Sequence, residues 1–292
     1  MATVTKAVIL AAGLGTRMLP ATKAVPKEML PVVDRPLIQY AVEEAVGAGI
    51  TDIIFVVADG KEAICDHFQA GGRTERVLAA AGNIALADSV RAPAELASFT
   101  FVRQDEPRGI AHAVACAREH VEGAPFALLF PDDLIIASRS PVAQLIDAFD
   151  QCSGSLIAVQ EVDPADIPQY GICDPAEAGN PARLRGIVEK PSQEEAPSNL
   201  GVVGRYILSE TIFAHIDGLR PGKNGELQIT DAFARQIVGG ERGSAFRYEG
   251  TRYDTGRPLG LISANIAAAL ARPELRAQAS ESFARALQTG GR

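Results

Sequence analysis

The chain is poor in closely spaced cysteines, in long apolar segments and in net positive charge, and each shortage excludes a class of protein. Its four cysteines, Cys65, Cys116, Cys152 and Cys173, are scattered over 292 residues, and no two have the short separation of a zinc site or a redox pair. Free thiols are expected, which suits a reducing compartment and hence the cytoplasm. The first apolar run, from Lys6 to Ala12, is too short for a signal sequence or a membrane span and gives way at once to glycine. The formal charge is -8 at pH 7, so the field of the whole molecule repels polyphosphate backbones and anionic lipid. Neither nucleic acid nor membrane is an expected partner, and any phosphate site must be locally basic. Internal repeats and low-complexity linkers are also missing.

What is present is the makeup of a globular protein: 47% hydrophobic and 22% charged residues suffice for one large core or two small ones. Apolar, β-branched runs recur at Ala7–Leu10, Ile53–Val57, Phe99–Val102, Phe126–Phe130 and Leu156–Val159. Ile53–Val57 and Phe126–Phe130 are hydrophobic without interruption, as parallel strands covered on both faces require. Between them, Leu37, Ile38, Ala41, Val42 and Ala45 follow a helical period opened by Pro36 and closed near Gly49. A second stripe runs through Ile110, Ala113, Val114, Ala117 and Val121, predicting one helix over 110–121. The first half therefore reads as doubly wound α/β. From about Asp163 prolines break the chain into shorter strands, helical patterning returns over Thr230–Val238 and from Pro258 onward, and the alanine-rich part of 72–98 reads as a surface insertion.

The most informative segment is Leu10–Pro31. Glycines leaving a strand expose backbone N–H groups to a bound phosphate and allow close approach. A dinucleotide-binding turn would need a third glycine where Met18 stands, followed by an uninterrupted helix that Pro20, Pro26 and Pro31 forbid. A P-loop would need lysine after a glycine, and neither Gly13 nor Gly15 provides it. What remains is a proline-stiffened loop bearing Arg17, Lys23 and Lys27 in an otherwise acidic protein. Clustered cations of this kind suit a polyanion such as a triphosphate.

Asp132 and Asp133 follow a buried strand, placing carboxylates at the sheet edge where open α/β folds bind ligands. Magnesium takes one or two carboxylates plus phosphate oxygens and water, so a single aspartate there would serve it; an aspartate pair is also ordinary turn chemistry. Tyr253-Asp254-Thr255-Gly256 offers a second carboxylate before a turn. Glu189 and Lys190 are neighbours that a regular strand would send to opposite faces unless Pro191 distorts it. Tyr170-Gly171 and Ser198-Asn199-Leu200-Gly201 suit either hydroxyl recognition or turns. His112 reads as a packing or capping residue, and His67, His120 and His215 as structural or solvated.

The loop resembles the signature of the sugar-1-phosphate nucleotidyltransferases, and Lys23-Ala24-Val25-Pro26-Lys27-Glu28-Met29-Leu30-Pro31 is similar to the bacterial UTP:glucose-1-phosphate uridylyltransferases among them. The resemblance extends from Lys6 to about Asn265. It implies a Rossmann-like mixed β-sheet flanked by helices, the nucleotide-diphospho-sugar transferase fold, with a β-rich sugar-binding region. The corresponding division is a catalytic domain over 1–271, with nucleotide-binding (1–161) and sugar-binding (162–257) parts, and a helical extension over 272–292. By the same resemblance Arg17 and Lys27 bind the triphosphate and stabilise the transition state. Nucleotide binding falls to Leu10, Ala11, Ala12, Gly13, Gly15 and Thr16, with Gln104 and Gly109 at the uracil edge. Gly171, Glu189, Lys190 and Asn199 hold the sugar phosphate, Asp132 and Asp254 hold Mg2+, and Asp133, where the family more often has an aliphatic residue, stands apart.

The reaction so implied converts UTP and glucose 1-phosphate to UDP-glucose and pyrophosphate by in-line attack, and a homo-oligomer is expected. The rivals are the same chemistry with dTTP or another sugar 1-phosphate, and a non-catalytic nucleotide-sugar-binding protein. The missing third glycine stands against an oxidoreductase.

Overall fold

A computed structural model of the chain describes residues 4–152, 154–222 and 225–289. The last three positions of the predicted C-terminal extension lie outside them. Nine strands share one sheet: β1 (Lys6–Ala11), β2 (Asp52–Val57), β3 (Ser98–Arg103), β4 (Phe126–Leu129), β5 (Ser155–Glu161), β6 (Gly171–Pro175), β7 (Ala182–Glu189), β8 (Leu200–Leu208) and β9 (Gly243–Arg247). Their spatial order is β3-β2-β1-β4-β8-β5-β9-β7-β6. The first four are mutually parallel. β8 runs antiparallel to both β4 and β5, β9 is parallel to β5, and β7 is antiparallel to β9 and β6. Ile172 on β6 also pairs with Gly201 on β8, so the strands of the second half close on themselves.

Alternation along β1 divides the interior into two layers. Ala7, Ile9 and Ala11 join the helix Leu37–Val46 and the helix Pro141–Phe149 on one face of the sheet. Val8 points to the other face, where Ala113, Val114, Phe213 and Phe233 pack against β2, β4 and β8. Both faces of β2 and β4 are thereby covered, which is why their sequences are continuously apolar.

The helix predicted over 110–121 is two: Ile110–Cys116 and Arg118–Val121. The turn tightens at Ala117, whose N–H donates to the Val114 carbonyl at 3.0 Å, yet Ala113, Val114, Ala117 and Val121 all stay buried. The helical pattern from Pro258 also breaks once, giving Pro258–Ala271 and Pro273–Thr289. Segment 72–98 forms two helices, Arg73–Ala80 and Ile84–Arg91, on the surface, with Val77, Ile84 and Leu86 exposed. Among the described residues no helix is long and apolar enough to cross a membrane.

Candidate active site

A cavity of about 810 Å³ opens at the carboxyl ends of β1 and β4 and extends to the end of β7. One wall is the loop after β1. Its prolines replace the long helix of a dinucleotide fold with three single turns, Thr16–Met18, Ala21–Lys23 and Lys27–Met29. Gly15 adopts φ 67°, and a Cβ on it would stand 3.0 Å from the Lys27 Cβ, so only glycine lets the loop lie against the Lys27 stem. The Thr22 hydroxyl donates to the Gly15 carbonyl at 2.8 Å. From beneath, the buried Lys61 ammonium donates to the Gly13 carbonyl and to Glu28, each at 2.7 Å. Burial pushes the Glu28 carboxyl above its ordinary range, against the pull of Lys61 and Lys27.

The opposite wall comes from sequence-distant segments joined by a small sheet. Strand Asp133–Ile136 pairs antiparallel with Thr251–Asp254, setting Asp254 across from Asp133. The Thr255 N–H and hydroxyl both donate to the Asp132 carbonyl, at 2.9 and 2.7 Å. Asp132 and Asp254 are thus side by side.

The two walls meet in charge. Lys27 Nζ lies 2.6 Å from Asp132 Oδ2. Burial pushes the Asp132 carboxyl up, but Lys27 and then Arg17 outweigh it and hold the group below its ordinary range. Burial likewise depresses the Lys27 ammonium, and Asp132 and Glu28 more than restore it, leaving it raised. A Cβ added to Gly256 would stand 3.0 Å from Arg17 Nη2, 3.1 Å from Asp254 Oδ1 and 3.3 Å from Asp132 Oδ2. Two carboxylate oxygens and a guanidinium therefore converge on a space that only glycine leaves open. Two adjacent carboxylates at one end of the cavity suit magnesium, which takes one or two carboxylates and draws its other ligands from phosphate and water. Among the described residues no set of three or more His, Cys, Asp or Glu converges in this way.

Asp133 also lines the cavity, but its carboxylate is engaged by other partners. Its Oδ1 receives Arg252 Nε at 2.7 Å and Nη2 at 2.5 Å, and its Oδ2 accepts the Gly204 N–H at 2.8 Å. The same guanidinium donates to the Tyr170 hydroxyl at 2.9 Å and lies over that ring, whose centroid is 5.4 Å away.

At the far end, β7 stops at Glu189 and Lys190 turns left-handed at φ 46° before Pro191, its N–H donating to the Tyr170 carbonyl at 3.0 Å. This kink lets both adjacent side chains line the cavity. Glu189 Oε2 accepts the Thr230 hydroxyl at 2.7 Å, and its Oε1 lies 3.6 Å from Lys190 Nζ. Gly171 sits beside them; a Cβ there would come within 3.0 Å of Glu189 Oε2. At the other end Gln104 caps β3, its amide nitrogen 3.3 Å from the Gly109 carbonyl and 3.0 Å from His112 Nδ1. Gly109, at φ 106°, presses on Leu227, leaving no room for a side chain.

Of the residues singled out from sequence, Leu10, Ala12, Gly13, Gly15, Thr16, Arg17, Lys27, Gln104, Gly109, Asp132, Gly171, Glu189, Lys190 and Asp254 all line this one cavity. Two do not. Ala11 is fully buried under the helix Leu37–Val46, because strand alternation turns it away from the face shared by Leu10 and Ala12. Asn199 is exposed and outside the lining, its carbonyl accepting the Val162 N–H at 2.9 Å where β5 and β8 converge. Lys23 is likewise exposed and outside it. Lys61, Thr230 and Arg252 were not visible in advance, since each is defined by a partner far away in the chain.

The family model described as Nucleotidyl transferase matches residues 6–269, nearly the whole cavity-bearing chain. The chain belongs to the nucleotidyl transferase family. Among nucleotidyl transferases it is similar to the UTP–glucose-1-phosphate uridylyltransferase of Bacillus subtilis, 44% identical over 95% of each chain. A UTP-bound UGPase from Acinetobacter baumannii superposes with a TM-score of 0.88 at 36% identity, covering 96% of this chain and 99% of that one. A UDP-glucose pyrophosphorylase complexed with UDP-glucose gives 0.83 at 38% identity, covering 92% and 100%.

Proposed function

We propose that this chain transfers a uridylyl group from UTP to glucose 1-phosphate, forming UDP-glucose and pyrophosphate. The observation that carries the reading is the meeting of Arg17, Lys27, Asp132 and Asp254 at one end of a cavity whose other end holds Glu189 and Lys190. Cations that repel one another are held beside a carboxylate pair where a triphosphate must be received, and the close uridylyltransferase relatives supply the substrates.

In this reading residues up to about 161 hold the nucleotide and 162–257 the sugar. The glycine loop lets the nucleotide approach, and Gln104 meets the uracil edge. Asp132 and Asp254 would hold magnesium, which when bound neutralises charge on the phosphates. Lys190 places the sugar phosphate, while Glu189, fixed by Thr230, accepts from sugar hydroxyls. The sugar phosphate is already ionised near neutral pH, with a second pKa of about 6 for such monoesters, so no general base is required. The barrier is the approach of two anions and the charge growing on pyrophosphate, which Arg17 and Lys27 face.

A coupled pyrophosphate assay over UTP, dTTP and CTP with glucose 1-phosphate and other sugar phosphates tests this. Turnover is expected with UTP and glucose 1-phosphate. Its absence, with UDP-glucose still bound, would mark a binding protein; faster turnover with dTTP would reassign the nucleotide.

A further inference from the structure

His112 does not line the cavity itself but stands behind Gln104, which does. It stands on the helix Ile110–Cys116, half-buried, with Nδ1 3.0 Å from Gln104 Nε2. A backbone carbonyl can only accept, so the Gly109 carbonyl 3.3 Å from the same atom requires the amide nitrogen, and not the oxygen, on that side. The amide has two hydrogens. One goes to Gly109 and the other to His112, whose Nδ1 must then carry a lone pair and whose proton must sit on Nε2. Gln104 Oε1 accepts no hydrogen bond from the described residues, yet it is not one of the sealed, unpaired oxygens among them, which are Glu28 Oε1 and Gln236 Oε1. Since Gln104 lines the cavity, that oxygen opens onto it.

We propose that His112 is a positioning residue for base selection: by accepting at Nδ1 it locks the Gln104 amide with oxygen toward the ligand. The inference rests on the uridylyl reading above. A fixed acceptor at this place favours a pyrimidine that presents an N3–H donor, and it opposes cytosine, whose N3 is itself an acceptor. Uracil and thymine are equal to it; cytosine is rejected. Without that acceptor only the longer 3.3 Å contact to the Gly109 carbonyl orients the amide, so it spends part of its time turned over, offering a donor, and discrimination falls although the glutamine is still there.

The test compares kcat/KM and equilibrium binding for UTP and CTP in the wild type, His112→Leu and His112→Asp. Leucine removes the acceptor at similar bulk, and aspartate places an acceptor-only oxygen close to where Nδ1 stands. Losing the partner of a half-buried amide should lower the UTP-to-CTP ratio about tenfold in the leucine variant, chiefly through the KM for UTP. Aspartate should return the ratio to near the wild-type value. A leucine variant that keeps the wild-type ratio, or loses both nucleotides equally, overturns the proposal. Nitrogen-15 NMR of the wild-type imidazole rings provides a reading that needs no variant: the Nε2–H tautomer is expected at His112, and an Nδ1–H tautomer overturns it. A wild type that turns over UTP while the ratio stays unmoved by substitution refutes the histidine role alone. A wild type that neither binds nor uses UTP refutes the uridylyl reading and this inference together.

Discussion

Replacing Lys27 by alanine separates the chemistry of this site from its stability. Lys27 contacts Asp132 at 2.6 Å, with the two side chains 19% and 22% exposed, so the pair is mostly but not wholly withdrawn from water. Breaking a fully buried ion pair costs about 3–5 kcal/mol. Here water reaches both partners and Arg17 still faces Asp132, so the expected loss is about 1–2 kcal/mol, or roughly 2–4 °C in Tm per kcal/mol. The effect on rate is much larger. A preorganised donor aimed at developing charge in such a site is worth about 100- to 1,000-fold in kcat, and no neighbouring cation stands where Lys27 does. The variant should therefore melt a few degrees early, bind UTP measurably, and release pyrophosphate at least about a hundredfold more slowly. A folded Lys27→Ala protein with turnover within about threefold of wild type would sink the argument that this ammonium meets the phosphates.

Asp133→Ala leaves the Arg252 guanidinium, 11% exposed, without its carboxylate, and should cost about 3–5 kcal/mol in denaturant titrations. The magnesium concentration for half-maximal rate should stay unchanged in it and rise in Asp132→Ala; a shift in the Asp133 variant alone would reverse their roles. Gly171→Ala brings a methyl to 3.0 Å from Glu189 Oε2 and 3.1 Å from Thr230 Cγ2, so the carboxylate must move. The KM for glucose 1-phosphate should rise about tenfold and that for UTP should not, as initial rates at varied sugar phosphate will tell. Burial lowers the His67 pKa below its ordinary 6.5. The unfolded chain then takes up the proton first, so this contribution to stability is complete above pH 6.5 and fades as pH falls through the window beneath it. Urea midpoints of wild type should fall more steeply than those of His67→Gln between pH 7 and 5; parallel curves would exclude the effect.

The inner parallel strands at Ile53–Val57 and Phe126–Leu129 were legible because, covered on both faces, they run apolar without a break, whereas the half-buried edge strand β3 carries Thr100. The loop was legible for the opposite reason: Pro20, Pro26 and Pro31 rule out the helix that a glycine turn otherwise starts. Ala11 is set apart by strand alternation, since on a strand it cannot share a face with Leu10 and Ala12. Asn199 is different, because a polar residue in a turn looks the same whether it meets a ligand or solvent. The supports of the site were out of reach altogether. Lys61 is 33 positions from Glu28, Thr230 41 from Glu189 and Arg252 119 from Asp133, and no local pattern joins them. The role of His112 needed the amide of Gln104 to be seen in place, not a motif.

The left-handed turn at Lys190 has a further consequence. A lysine with φ 46° gives up about 1–2 kcal/mol relative to ordinary backbone, and no glycine relieves it. The surrounding sheet must be stable enough to hold this mirror-image step, because straightening it would swing either the acid or the base of the Glu189–Lys190 couple out of the cavity. Selection for grip on an anionic sugar and selection for ease of folding thus pull against each other at a single main-chain torsion.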